Sequence, residues 1–195
     1  KIARRATGRP GVVVFDYGFH GRTLLALTMT SKVAPYKQGF GPFATDVHRL
    51  PFPYEYRSEG PLDGAACRRS FEEFFSGFVG ADQIACVVIE PVAGEGGFLV
   101  VPPEWMRELQ AICREHGILL IADEVQTGFG RTGKMFASEH YGIEPDLVTL
   151  AKSMGAGFPI SAVTGRAEVM DAAQPGGLGG TFVGHPVSCA AALAA

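Results

Sequence analysis

The sequence predicts an α/β fold: a mostly parallel, doubly wound sheet with flanking helices. Two patterns carry that prediction. Short apolar runs recur along the chain without polar alternation, as in GVVVFD (11–16), IACVVIEPV (84–92) and ILLIA (118–122). Parallel strands buried on both faces read this way. Between the runs lie segments with helical spacing or helix-terminating residues, and strands that alternate with helices build a parallel sheet.

Taken in order, KIARR at the start reads as the last turns of a helix. Residues 11–16 form a buried strand, followed by a loop that enters a helix in GFHGRTLLALTMTSK. From 35 to 61 the chain is rich in Pro, Gly and aromatics without a period, which predicts a long irregular excursion. Phe71, Phe74, Phe75 and Phe78 then recur at i, i+3, i+4 and i+7, an amphipathic helix whose aromatic stripe is expected in the core. The strand at 84–92 ends on Glu90 and Pro91. A helix at 104–116 follows, with Pro102 and Pro103 leading in and Gly117 at its end. After the strand at 118–122 come a glycine-rich loop, a short helix over 134–141, a strand over 146–150 and a last short strand over 160–165. PGGLGGTF precedes a final helix, and there is no internal repeat.

The 195 residues suffice for one domain with a core, and 47% hydrophobic against 19% charged residues fits a soluble α/β protein. Seventeen basic against twenty acidic residues give a net charge of −3, which excludes a basic nucleic-acid footprint. Arg4, Arg5, Arg9, Arg68 and Arg69 read as solvated helix faces. No apolar run approaches the ~20 residues of a membrane span. Cys67, Cys86, Cys113 and Cys189 contain no CxxC pair, and Cys86 and Cys113 read as buried small hydrophobes of a reducing compartment. The sequence has no Asn and hence no N-glycosylation acceptor, so cytoplasm is the expected location. KIARR lacks an initiator methionine or N-cap, and HPVSCAAALAA stops without a helix terminator. A fragment of a larger protein is expected.

The chemistry is carried by two residues. Lys152 follows the apolar run at 146–150, where a free ammonium is expected to be costly. Twenty-nine residues earlier, GILLIADEVQTG delivers Asp123 to the end of another strand. Alone, such a lysine is a solvated loop residue and such an aspartate an N-cap or metal ligand. Together, at the carboxyl edge where open α/β sheets bind ligands, they suit pyridoxal phosphate. The lysine would form a Schiff base and the carboxylate would pair with the protonated pyridine nitrogen.

Other motifs weigh less. GFGRTG (128–133) matches GxGxxG, but DEVQT separates it from its strand and no acidic residue follows about 20 positions on, so a plain loop is expected. GEGG (94–97) and GGLGG (176–180) say little alone. The histidines lack ligand spacing, so no metal site is expected, and His20 beside Arg22 reads as a surface-loop residue. Glu90, Glu95, Asp123 and Glu124 could supply an acid/base pair to a hydrolase; that enzyme would have no need for Lys152.

VIEPVAGEGG, the segment from ILLIADEVQTGFGRTGKMFASEHYGIEPDLVTLAKSMGAGFP to ISAV, and GGLGGTFVGHPVSCAAALA together resemble class III aminotransferases, of the fold type I pyridoxal-phosphate enzymes. FHGRT followed by YKQGFGPF is most similar to the 4-aminobutyrate branch. The resemblance covers essentially the whole chain. It implies that 1–195 is the central part of a pyridoxal-phosphate-binding large domain, with the phosphate cup upstream and a small C-terminal domain downstream, both absent. The isolated piece would then be inactive and bind cofactor poorly. The resemblance further implies that Lys152 and Asp123 are catalytic and that Val125 and Phe19 cover the cofactor ring. Gln126 would contact the ring's phenolic oxygen, and Thr181 would reach the partner subunit's cofactor phosphate. Arg22 would bind the substrate's distal carboxylate. Glu90 and Glu95 would line the substrate side, Glu95 pairing with an arginine of the C-terminal domain. Many relatives have Tyr at Phe19 and Gln at Ala93, so two polar contacts are lost here. The implied reaction moves an amino group from 4-aminobutyrate to 2-oxoglutarate, in a homodimer or higher homo-oligomer. Class III enzymes acting on ornithine, acetylornithine or another ω-amine are alternatives. A non-catalytic nucleotide-binding module and a remnant that only dimerises are others.

Overall fold

The computed structural model describes residues 1–195. The strands are β1 (Gly11–Phe15), β2 (Val47–Leu50), β3 (Ile84–Ile89), β4 (Val92–Ala93), β5 (Leu99–Val100), β6 (Leu119–Asp123), β7 (Leu147–Leu150) and β8 (Ala162–Gly165). The helices are α1 (Ile2–Thr7), α2 (Leu24–Met29), α3 (Gly64–Gly77), α4 (Pro103–His116), α5 (Ser138–Tyr141), α6 (Ala167–Met170) and α7 (Pro186–Ala194). Six strands form one sheet in the order β2-β1-β3-β6-β7-β8, and β4 pairs with β5 in a small hairpin. All neighbours in the large sheet are parallel except β7 and β8. The predicted doubly wound sheet is therefore the observed one.

The apolar runs became strands because both of their faces are covered. Val13, Phe15, Val87, Ile89 and Leu120 pack under α3 and α4, in a core that includes Phe71, Trp105, Met106, Leu109 and Ile112. Val12, Val14, Ala85, Cys86 and Val88 face the other side, where Ile2 and Ala3 of α1 and Val169 of α6 close a smaller core. Trp105 meets Phe15 edge to face at 5.5 Å. Asp63 caps α3 by accepting from the amide of Ala66, and Gly117 ends α4 in the left-handed conformation (φ 62°) that glycine adopts without strain. No helix is long and apolar enough to cross a membrane.

Four expectations need correction. The excursion at 35–61 contains β2, a half-buried edge strand beside β1 whose VHRL sequence shows no continuous apolar run. The aromatic stripe is core only in part: Phe71 and Phe74 are buried, whereas Phe78 caps the helix end and is 83% exposed. Arg9 is not a solvated helix face. Its Nη1 donates to the carbonyls of Ile84 (3.2 Å), His116 (3.0 Å) and Gly117 (3.2 Å), tying the amino ends of β3 and β6 together. The helix foreseen at 134–141 begins only at Ser138.

Leu109 is fully buried and Phe78 is not, so truncating them should have unequal costs. Leu109→Ala should lower stability by about 2–4 kcal/mol, and Phe78→Ala by no more than about 0.5 kcal/mol. Urea denaturation midpoints of the two variants check this ordering.

Candidate active site

The carboxyl ends of β1, β3, β6 and β7, neighbours in the sheet, deliver the chemistry-bearing residues to one edge. The loop after β1 carries Phe19 and His20, β3 runs into Glu90, β6 ends on Asp123, and Lys152 follows β7. Nine residues line a cleft of about 120 Å³ there: Phe19, His20, Gly21, Glu90, Glu95, Asp123, Val125, Gln126 and Lys152. Adjacent parallel strands converge at such an edge, and this is where open α/β sheets bind their ligands.

Asp123 is buried, with its side chain 9% exposed. Oδ1 accepts from Thr149 Oγ1 (2.9 Å) and from the amide of Val125 (3.2 Å). Oδ2 lies 2.7 Å from His20 Nδ1, whose side chain is 4% exposed. The sequence placed His20 on a surface loop, and the structure corrects this. The available signal was that the residue lies a few positions beyond a buried strand, at the edge where Asp123 also ends. The His20 backbone amide donates to Thr30 Oγ1 (3.0 Å), and Thr30 is wholly buried. Arg49 Nη2 in turn grips the carbonyls of Met29 (2.9 Å) and Thr30 (3.1 Å), so the loop is held from behind.

Lys152 opens a short 3-10 turn with φ 46°, a left-handed conformation that a side chain resists. It is exposed, not buried as the preceding apolar run suggested, so the expected burial cost is absent from this chain. Its Nζ donates to Gln126 Oε1 at 2.5 Å. Gln126 lies against Gly94, where a Cβ would sit 2.7 Å from the amide carbon and oxygen. GEGG thus has a role that its sequence alone did not reveal, since only glycine leaves room for the side chain that meets Lys152.

Glu90 is 7% exposed and accepts from the amides of Phe19 (2.7 Å) and Gly94 (3.0 Å). Burial pushes its carboxyl above the ordinary value of 4.5, against the pull of those two donors. Glu124 has a different task from its neighbour Asp123. It is wholly buried and accepts from Thr127 Oγ1, from the amides of Ala137 and Ser138, and from Ser138 Oγ (2.7 Å). Every lone pair is used to fold the 127–138 loop, so Glu124 cannot partner a neighbouring acid. GFGRTG sits in that loop, away from any helix start, as a plain turn.

Arg22 and Glu95 stand at the cleft's mouth, both exposed. Thr181 does not join the cleft: it is exposed and lines a separate groove of about 820 Å³ with Met154, Ile160 and Ser188. The cleft meets the chemical demands of a pyridoxal ring. It offers one buried carboxylate for a ring nitrogen, one accessible amine for a carbonyl carbon, and Phe19 and Val125 as wall.

The chain matches the aminotransferase class-III family over residues 1–195. A Bacillus subtilis protein named "probable 4-aminobutyrate aminotransferase" is 52% identical over 198 residues, covering 100% of this chain and 45% of that protein. A 5-aminovalerate aminotransferase of Pseudomonas putida is 53% identical, again over 100% of this chain and 45% of the relative. The chain therefore spans about half the length of the curated relatives it matches. Among solved structures, a PLP-bound amine transaminase from an uncultivated Pseudomonas species superimposes with a TM-score of 0.90 at 36% identity, over 99% of this chain and 47% of that one.

Folding holds Glu90 at a raised carboxyl value, so the folded state binds its proton more firmly than the unfolded chain does. That contribution to stability is present below the ordinary value of 4.5 and is lost as pH rises through the folded value. Glu90→Gln should remove this component. Urea midpoints at pH 4 and pH 7 should show the wild type losing stability relative to the variant as pH rises; parallel pH profiles would contradict the assignment.

Proposed function

The chain belongs to the class III aminotransferase family, and on that premise we propose a pyridoxal-phosphate-dependent transaminase that moves the amino group of an ω-amino acid to a 2-oxo acid. The donor proposed is 4-aminobutyrate and the acceptor 2-oxoglutarate, giving succinate semialdehyde and glutamate. The observation that carries the reading is the placement of an accessible lysine amine and a buried, hydrogen-bonded carboxylate in one cleft.

When bound, pyridoxal phosphate supplies a carbonyl carbon that condenses with amines and a ring that withdraws electrons. The residues divide the remaining tasks. Asp123 keeps a proton on the ring nitrogen, because a carboxylate held by Thr149, Val125 and His20 presents a fixed negative charge to it. Lys152 Nζ would hold the cofactor at its carbonyl carbon and, as a free amine, would accept the proton removed from the donor's amine-bearing carbon. Gln126 orients that amine before reaction. Val125 and Phe19 cover the ring. Arg22 receives the donor's far carboxylate, which suits a guanidinium fork, while Glu90 and Glu95 line the substrate side.

Residues 1–195 are, in this reading, part of a large domain, and the phosphate grip and a small domain come from segments outside them. Thr181 would serve a partner subunit's cofactor phosphate in a homodimer, which accords with its place in a groove apart from the cleft. The two similar relatives are named for 4-aminobutyrate and 5-aminovalerate, donors that share a terminal carboxylate and differ by one methylene. A hydrophobic pocket separates such a pair by about 10- to 200-fold at most. Ornithine and acetylornithine are the competing donors.

In the natural-length protein, kcat/KM should be higher for 4-aminobutyrate than for ornithine or acetylornithine in a donor panel with 2-oxoglutarate. Preference for ornithine would defeat the choice of donor. Asp123→Asn should lower kcat by at least about a hundredfold, since an amide cannot balance a ring cation; near-normal turnover would contradict the proton-holding role.

A further inference from the structure

Glu90 bonds two loops at once. Its Oε1 accepts from the amide of Phe19 (2.7 Å), 71 positions away in the loop after β1. Its Oε2 accepts from the amide of Gly94 (3.0 Å), in the turn that follows β4. The chain that carries this carboxylate is itself pinned. The carbonyl of the next residue, Pro91, accepts from the buried Tyr141 hydroxyl (2.8 Å) and from the amide of Val101 (3.2 Å). Each of the two donors stands beside a side chain that the cleft uses. Phe19 forms part of the cleft wall, and the Gln126 amide packs on the bare backbone of Gly94 while its Oε1 receives Lys152 Nζ.

The arrangement calls for a carboxylate, because both of its ends accept hydrogen bonds. A glutamine of the same shape offers one carbonyl oxygen and one NH2 group, and the NH2 end would face an N–H donor. Glutamine would keep one arm and lose the other. Negative charge strengthens both arms, and at 7% exposure little water competes with them. The loop after β1 is then held from two sides, with the Phe19 amide on Glu90 and the His20 amide on Thr30.

We propose that Glu90, beyond lining the substrate side, is a positioning residue that acts through the main chain: it clamps the Phe19 and Gly94 loops and so sets the gap between the aromatic wall and the Gln126–Lys152 pair. The inference rests on the transaminase reading only in naming the occupant of that gap as the ring of pyridoxal phosphate. Loss of one arm therefore loosens one wall of the gap and weakens the hold on the ring, whatever donor is used.

The test uses the natural-length protein as wild type, Glu90→Gln and Glu90→Ala. Site-resolved amide hydrogen exchange is measured before the cofactor is added. Glu90→Ala should speed exchange at both Phe19 and Gly94 by about tenfold or more, and Glu90→Gln at one of the two, with the amides of β3 unchanged. Where Glu90→Ala loosens β3 as well, Glu90→Gln, which keeps the shape, carries the comparison. Pyridoxal phosphate is then titrated at equilibrium, and Glu90→Gln should raise its dissociation constant about tenfold. Adding Gln126→Ala to Glu90→Gln should weaken binding by less than the product of the two single losses, because one arm acts through Gln126. Wild-type exchange at Phe19 and Gly94 in the variants, or a fully multiplicative loss in the double variant, would overturn the clamp. So would a raised KM for 4-aminobutyrate with unchanged cofactor affinity, which is the signature of substrate contact alone. If the wild type binds no pyridoxal phosphate, the transaminase reading fails, while the exchange rates still decide whether Glu90 clamps the two loops.

Discussion

A buried carboxylate is tolerated only where hydrogen-bond donors replace the water it has lost. Asp123 meets that condition with donors from three separate elements: Thr149 on β7, the Val125 amide in the turn after β6, and His20 in the loop after β1. The same bonds tie the carboxyl ends of those strands around one point. His20 is fixed in turn through Thr30, and Thr30 through Arg49 of the edge strand β2. The position of Phe19 and the mouth beyond it follow from that chain of contacts. Loss of the carboxylate would leave the His20 ring and the Thr149 hydroxyl without their partner, as well as the ring nitrogen of a cofactor.

Adjacent residues in this site have unrelated tasks because the backbone turns them to different surroundings. Asp123 faces the cleft, while Glu124 faces inward and spends four hydrogen bonds on the 127–138 loop. A DE step in the sequence cannot show this division. Lys152 is the opposite case: its strained, left-handed backbone holds an exposed amine at the end of β7, steadied by Gln126. In the proposed reading the amine must be reachable, and the exposure of Lys152 accords with that. At the mouth, the Arg22 guanidinium lies over the rings of Tyr36 and Phe19.

Much of the fold was legible because parallel strands buried on both faces cannot avoid continuous apolar runs. β1, β6 and β7 were each readable within one residue at either end, and β3 from its first residue though it ends three residues earlier than expected, and with them the strand ends that carry Glu90, Asp123 and Lys152. β2 was not, since an edge strand is covered on one side only and VHRL satisfies it with a half-polar sequence. Phe78 kept the helical spacing of its stripe but fell beyond the last turn of α3, where spacing no longer implies a face. His20 was missed because its burial depends on a residue 103 positions away, and no local pattern encodes such a contact. Gly94 was missed for the same reason. Arg9 has an ordinary surface composition around it and is held by carbonyls of elements far along the chain.

The central claim is that Lys152 is the amine that holds pyridoxal phosphate. Its most direct test is to load the natural-length protein with the cofactor, reduce it with borohydride and map the labelled peptide by mass spectrometry. The account predicts a pyridoxyl group on Lys152 at near-stoichiometric occupancy. A folded protein labelled on Lys32, Lys37 or Lys134 instead, or not labelled at all, would contradict it.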